Sequence, residues 1–335
     1  MNCEKTVEVV LHDENTICSR ECSDTIFGIV QYGLKNNIPK KLSHIPNVFI
    51  KCPVMGASNY YKIFFSHEKV NYLESEYYSL AHDTNNLFGC SSIKECPDNS
   101  ISIIAEKMYS EAFKLTEKLN FPDLYRTWNY LPKITDSDIS GNVRYKAFSF
   151  GRSEAFVHEF NKTNKIIYPA STAVGNVSDE ISIFFLAFAR KSMVAIENPR
   201  QTPAFNYPSK YGVRAPSFSR GIYLSHFSGF NLYISGTASI AGTESMHPGN
   251  IEKQCAETLE NIRALISRDN LQKHGIQIAL SLADIQRLVV YLKDDCDYNI
   301  VQNSLHKTFS KDAQIAYVKA DLCRSDLLIE IEGII

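Results

Sequence analysis

The chain has 335 residues, 44% of them hydrophobic and 21% charged, with a formal net charge of −2. Ordinary globular composition and near-neutrality argue for neither a nucleic-acid nor a membrane partner, and the longest apolar runs, such as ISIFFLAFA (181–189), are far too short to span a bilayer. The opening MNCEKTVEVVLHDENT lacks the apolar core of an export signal, which points to a cytoplasmic protein. Nine cysteines, an odd number, are scattered along the chain. The only close pairs, Cys18/Cys22 and Cys90/Cys96, have no second half at zinc spacing, so free and mostly buried thiols are expected, with no metal. No zincin, nucleophile-elbow, dinucleotide or phosphate-loop motif is present.

In chain order, residues 1–60 read as less regular, with strands at NVFIKCPV and YYKIFFS. Residues 102–119 have helical period, and LYRTWNYLPKI (124–134) follows as a strand. NVRYKAFSFGRSEAF (142–156), KIIYPASTAVG and ISIFFLAFA come next. GIYLSHF (221–227) and NLYISGTASI (231–240) read as a hairpin. Residues 251–267 place Ile251, Cys255, Leu259, Ile262 and Ile266 on one face of a helix, with Asn250 as N-cap and Glu252 in the first turn. A strand (285–293), a helix capped by Asp297 (297–309) and two closing strands complete the chain. The last third therefore has the order ββαβαββ, and the middle repeats it more faintly. The fold class expected is α+β: two fused ββαβαββ units, the first degenerate, with helices on one face of mixed sheets. The division is 1–190 with an irregular N-terminal extension, 191–220 as a link, and 221–335.

Two features ask for chemistry. Strand alternation puts Leu328, Glu330 and Glu332 on one side of the last strand and Leu327, Ile329 and Ile331 on the other. Acids inside an aliphatic run mark a solvated edge or a site. The corresponding strand of the first copy, 181–189, has none, which tilts the balance towards function. The link RKSMVAIENPRQTPAFNYPSKYGVRAPSFSR (190–220) holds four prolines and four arginines. It suits either an ordered loop gripping a carboxylate-bearing ring through Arg and Tyr, or a surface linker with solvated arginines.

LYISGTASI, EKQCAETLENIRALI, RLVVYLKDDCDYNIVQNSLHKTF and LLIEIEGI resemble the RidA (YjgF) family over about a third of the chain. That family forms trimers with sites between subunits, and many members hydrolyse imines with an arginine in a Pro-Ala-Arg step. This chain reads Asp312-Ala313-Gln314 there, which speaks against imine deamination. A further set is similar to the chorismatases: YKAFSFGR (145–152), NPRQTPAFNYPSKYGVRAPSFSRG, SGTASIAGTESMHPGN and CRSDLLIEIEG. In that family a RidA-like C-terminal half joins a degenerate RidA-like N-terminal half.

The second resemblance implies release of pyruvate from chorismate without metal or organic cofactor. It implies Glu330 as the acid–base residue, and Tyr145, Arg152, Tyr207 and Arg220, with Tyr211 and Arg214, as substrate-binding residues. Glycine in the SGTASI step and a cysteine before the catalytic strand go with aromatising members, so Gly236 and Cys323 imply 3-hydroxybenzoate, with a share of 4-hydroxybenzoate. The alternatives are a hydrolase giving a cyclohexadiene diol, a RidA-like imine deaminase, and a non-catalytic ligand-binding protein. Fused copies imply a site between the halves of one chain and a monomer or weak dimer. The residue pattern assigns Glu332 no role.

Overall fold

The computed structural model describes residues 8–12, 25–96, 100–138, 141–163, 167–189, 193–226 and 229–335. Two sheets carry the repeat. The first copy's main strands run in the order 170–176, 123–132, 180–188, 86–94, 79–82, 71–74. The second copy's run 314–319, 287–292, 329–334, 229–238, 221–226, 193–196. In each, the first two strands are parallel and the rest pair antiparallel. The two copies thus match strand for strand, as the expected duplication requires, but each has six such strands where ββαβαββ gives five; Met193–Ile196, assigned above to the link, is an edge strand of the second.

Helices cover one face of each sheet. Ile101–Lys118 and Arg144–Thr163 lie on the first, and Ile251–Ile266 and Tyr298–Thr308 on the second. Asn250 caps its helix as expected, accepting from the Lys253 amide at 3.0 Å, a bond that stabilises such a helix by about 1 kcal/mol. Asp297 stands at the N-cap position of its helix but makes no side-chain cap bond. Its backbone is already helical (φ −82°, ψ −12°), whereas a capping side chain needs an extended backbone to reach forward.

The uncovered faces of the two sheets turn towards each other. The N-terminal residues fill the third side: Glu8–His12, Tyr60–Phe65, Ile26–Gly33 and Asn47–Lys51 form a four-stranded sheet in that order, the second and fourth of them expected as strands from sequence. Val54–Met55 then joins the edge of the second copy's sheet. One apolar cluster is shared by all three sheets, including Tyr32, Phe64, Trp128, Tyr130, Phe184, Val289 and Tyr291. The hydroxyls of Tyr32, Tyr130 and Tyr291, one from each sheet, are linked at 2.9 and 2.7 Å.

The closing strand runs from Ile329 to Ile334, so alternation begins at Ile329. Ile329 and Ile331 pack under the helices, while Glu330 and Glu332 face the space between the sheets, 4% and 3% exposed. Leu327 precedes the strand and belongs to the inter-sheet cluster, contrary to the face assigned to it above, because a loop does not keep the two-residue alternation.

No helix among the described residues is long and apolar enough to cross a membrane. The described cysteines are free, with Cys52, Cys90 and Cys255 buried and Cys96 and Cys296 exposed. Cys18 and Cys22 lie outside the described residues.

Candidate active site

A cavity of about 110 Å³ opens where the two copies meet. That is room for the centres of several waters. Its walls include Tyr145, Arg152 and Ser171 of the first copy, Tyr207, Tyr211 and Arg220 of the link, and Gly236, Cys323 and Glu330 of the second copy. Eight of the nine residues singled out from sequence are therefore brought together. The ninth, Arg214, points away: it is exposed and bonds Glu154 of the helix 144–163 at 2.7 Å.

Glu330 lies in the central part of the second sheet, opposite Tyr291 on one side and Ala238 on the other. Burial is the main force on its carboxyl, raising its pKa to about 8; the negative charge of Glu332 adds to this, while Arg126 and Arg220 oppose it. At neutral pH the group is mostly a neutral acid with a proton to give. A bulge in the strand 229–238, between Ile234 and Thr237, brings Gly236 against it. A Cβ at Gly236 would stand 1.9 Å from Glu330 Oε1, so glycine is what leaves the carboxyl its place. Ser235, also in the bulge, accepts from the Ser171 amide at 2.8 Å and donates to the Ser219 carbonyl at 2.6 Å. The bulge thus ties the first copy to the link beside the acid.

The cationic side of the cavity is built from both copies. Arg152, buried in a helix of the first, donates to Ser171 Oγ at 3.1 Å and to the Ser217 carbonyl. Arg220 donates to the Thr202 carbonyl at 2.8 Å and to the Tyr207 hydroxyl at 2.9 Å. The Nε of each arginine is buried without a protein partner. Burial, then Cys323, raises the Tyr145 hydroxyl's pKa despite Arg152, so the phenol remains a donor. The Cys323 thiol is pushed up to about 12, first by burial and then by Glu330, and is therefore neutral.

Sequence reasoning missed two further cations that line the cavity, Lys146 and Arg324. Arg324 lies over the ring of Tyr211 at 4.3 Å and that of Tyr207 at 5.7 Å, and donates to the Thr243 carbonyl at 2.8 Å. Its position directly after Cys323 was the available signal. Lys146 reaches the Lys210 carbonyl at 3.2 Å, tying the link to the helix 144–163.

Glu332 has a different environment from Glu330. It accepts from Lys62 Nζ, from Arg126 Nη2 and Trp128 Nε1, each at 2.9 Å for the latter two, and from Thr172 Oγ1 at 2.5 Å. Burial presses its pKa upward, but Lys62, Arg126 and these hydrogen bonds outweigh it and hold the carboxylate ionised. Nor is Gln314 in a catalytic setting: its side chain accepts from the Leu11 amide at 3.0 Å, securing the first strand of the N-terminal sheet. Among the described residues, no cluster of His, Cys, Asp and Glu could hold a metal ion.

Four cations and one protonatable carboxyl around a cavity between two like units make a site for a small polyanion that takes up a proton. Comparison with known proteins gives this class a family. The model of the family "Chorismatase FkbO/Hyg5-like, N-terminal" matches residues 62–187. A 3-hydroxybenzoate synthase of Streptomyces hygroscopicus is 33% identical over 92% of this chain and 91% of its own. A chorismatase of Streptomyces rapamycinicus is 35% identical over 74% of each chain. A crystal structure of a chorismatase superposes with a TM-score of 0.90 at 28% identity, covering 98% of both chains. The chain belongs to the chorismatase family.

Proposed function

We propose that the protein converts chorismate to 3-hydroxybenzoate and pyruvate, with Glu330 as the proton donor. The observation that carries this reading is the buried, proton-bearing Glu330 in a cavity lined by Lys146, Arg152, Arg220 and Arg324. Chorismate is a dianion with an acid-labile enol ether. Arginines pair with its two carboxylates and the tyrosines flank its ring. Glu330 protonates the enolpyruvyl methylene, giving an oxocarbenium-like centre that the carboxylates stabilise. The neighbouring ring hydroxyl displaces the enolpyruvyl oxygen, which leaves as pyruvate. The oxygen, now bridging two ring carbons, keeps its new bond and its proton while its original bond to the ring breaks. The carbon that now bears it loses its hydrogen as a proton to the Glu330 carboxylate, and the ring becomes aromatic. The two products together carry all the atoms of the substrate, so the step needs neither oxidant nor reductant.

Gly236 and Cys323 set the product. With glycine, the Glu330 carboxyl sits close to the strand 229–238, and with a neutral thiol beside it the cavity favours the internal nucleophile over water. Water attack would give the diol. Tyr145 and Arg152 bind substrate from the first copy, with Tyr207, Tyr211 and Arg220 from the link. Arg214, held by Glu154, fastens the link and has no direct contact with substrate. The division 1–190, 191–220 and 221–335 keeps a link whose strand Met193–Ile196 joins the second copy's sheet, and the cavity residues of both copies and the link belong to one chain, so the protein works as a monomer or weak dimer. Its free, exposed Cys96 and Cys296 suit a reducing cytoplasm.

Incubation of purified protein with chorismate, with pyruvate and aromatic products followed by chromatography, tests the reading. Equal release of pyruvate and 3-hydroxybenzoate is expected. Pyruvate with the diol would assign the hydrolase instead, and no pyruvate would remove the chorismatase reading. Light scattering of the same sample tests the assembly: a stable trimer would contradict it.

A further inference from the structure

Two residues beyond Glu330, on the same face of the same strand, a second carboxylate is buried with no access to the cavity. Same-face neighbours on a strand are about 7 Å apart, well within the range of electrostatic coupling in a protein interior. Glu332 is 3% exposed, and everything that bonds its carboxylate comes from elsewhere in the fold. Lys62 comes from the N-terminal sheet, and Arg126, Trp128 and Thr172 come from the first copy. A charge this deeply buried is costly, and a hydrophobic replacement of a buried ion cluster is often no less stable. Structural glue alone is therefore a poor account of it.

We propose that Glu332 is a positioning residue for the proton-transfer step: a permanently ionised carboxylate, fixed by Lys62 and Arg126, that keeps the proton on Glu330. The proposal rests on the chorismatase reading above. Its logic is charge balance. The groups that face Glu330 are Glu332 on its own strand, Arg126 from the first copy, Arg220 from the link, and the neutral Cys323 and Tyr145. Those that face Glu332 are Lys62 and Arg126, the hydroxyls of Tyr32, Tyr130 and Tyr291, and Arg287 across a small cavity. With Glu332 in place, its negative charge offsets the buried cations behind the site. Without it, Arg126 and Arg220 face Glu330 alone and draw its proton off. The cluster also explains how an acid can survive next to the buried Arg126 and to Arg220, the one of the two that lines the cavity and is placed to bind a dianion.

The test is the pH profile of kcat/KM for pyruvate release. Glu330 acts as an acid, so activity falls as pH rises through its pKa. In Glu332→Gln that fall should move about one pH unit or more to the acid side, with the rate on the acid plateau kept within a few-fold. Glu332→Asp, which keeps the charge, should leave the fall where it is in wild type. Glu332→Gln leaves Lys62 and Arg126 without a counter-charge and endangers folding. The double variant Lys62→Met/Glu332→Gln is therefore run beside it, since it removes one cation with the anion. Arg126 remains in the double variant, so the same acid-side displacement is expected. A lower Tm with an unmoved profile in whichever of these two folds would reduce Glu332 to a structural residue and overturn the proposal. Wild-type protein that releases no pyruvate would instead sink the underlying reading.

Discussion

Phe184, Leu186 and Phe188 on the closing strand of the first copy look into the inter-sheet space, as Glu330 and Glu332 do on the closing strand of the second. In the first copy the face is sealed: Phe184 stacks on Trp128 at 4.6 Å and on Tyr130 at 6.0 Å. In the second, two acids occupy the same kind of surface and escape the cost of a buried charge by opposite routes. Glu332 is ionised and surrounded by cations and donors, while Glu330 keeps its proton. A duplicated scaffold can thus use one copy's face for cohesion and the other's for chemistry.

The sharpest way to break this contrast is Glu330→Gln. Turnover of chorismate should fall by about 10²- to 10⁴-fold, the usual contribution of a general acid. Stability should not fall with it. Glu330 holds its proton to about pH 8 in the fold, whereas the unfolded chain releases it near the ordinary carboxyl value. The folded state therefore binds more protons between those values, and stability declines as pH rises through that window. Glu330→Gln removes this decline, so its Tm near neutral pH should equal or exceed that of wild type, as thermal melts will show.

Phe184→Ala should do the reverse, costing about 3–5 kcal/mol in denaturant titration while leaving the rate per folded molecule close to wild type. Arg324→Gln should raise KM for chorismate by about 10- to 100-fold, the worth of a charge-assisted hydrogen bond, with a smaller change in kcat; an unchanged KM would remove Arg324 from the substrate site. Gly236→Ala should have the smallest effect on total turnover but move Glu330. A methyl group 1.9 Å from its carboxyl oxygen must displace it, and the diol should gain at the expense of 3-hydroxybenzoate in the product chromatogram.

Much of this was legible because it is local. The helix 251–266, the hairpin 221–238 and the closing strand announce themselves by period, cap and alternation. Glu330, Gly236 and Cys323 lie in short motifs whose resemblance to the chorismatases points to them. What escaped depends on distance along the chain. The partners of Glu332 lie 270, 206 and 160 residues away for Lys62, Arg126 and Thr172, and nothing in the run LLIEIEGI foretells them. In the N-terminal sheet the strands 47–51 and 60–65 were legible, but their joining into a sheet was not, for a related reason: its first strand pairs with Tyr60–Phe65 across some fifty residues. Arg214 and Arg324 show the limit for loops, where residue type does not reveal whether a guanidinium faces a cavity or a neighbouring glutamate.

Trp128 is the single tryptophan of the chain. It sits where the three sheets converge, hydrogen-bonded to Glu332 and overlaid by Lys62 and Arg126 at 4.8 and 4.3 Å. Its indole is fully buried and does not line the substrate cavity. Intrinsic fluorescence excited at the indole band is therefore a native optical gauge of the junction, blind to most of the surface. The emission should shift when the N-terminal sheet parts from the two copies, so a stopped-flow trace of refolding would time the joining of the three sheets without any label.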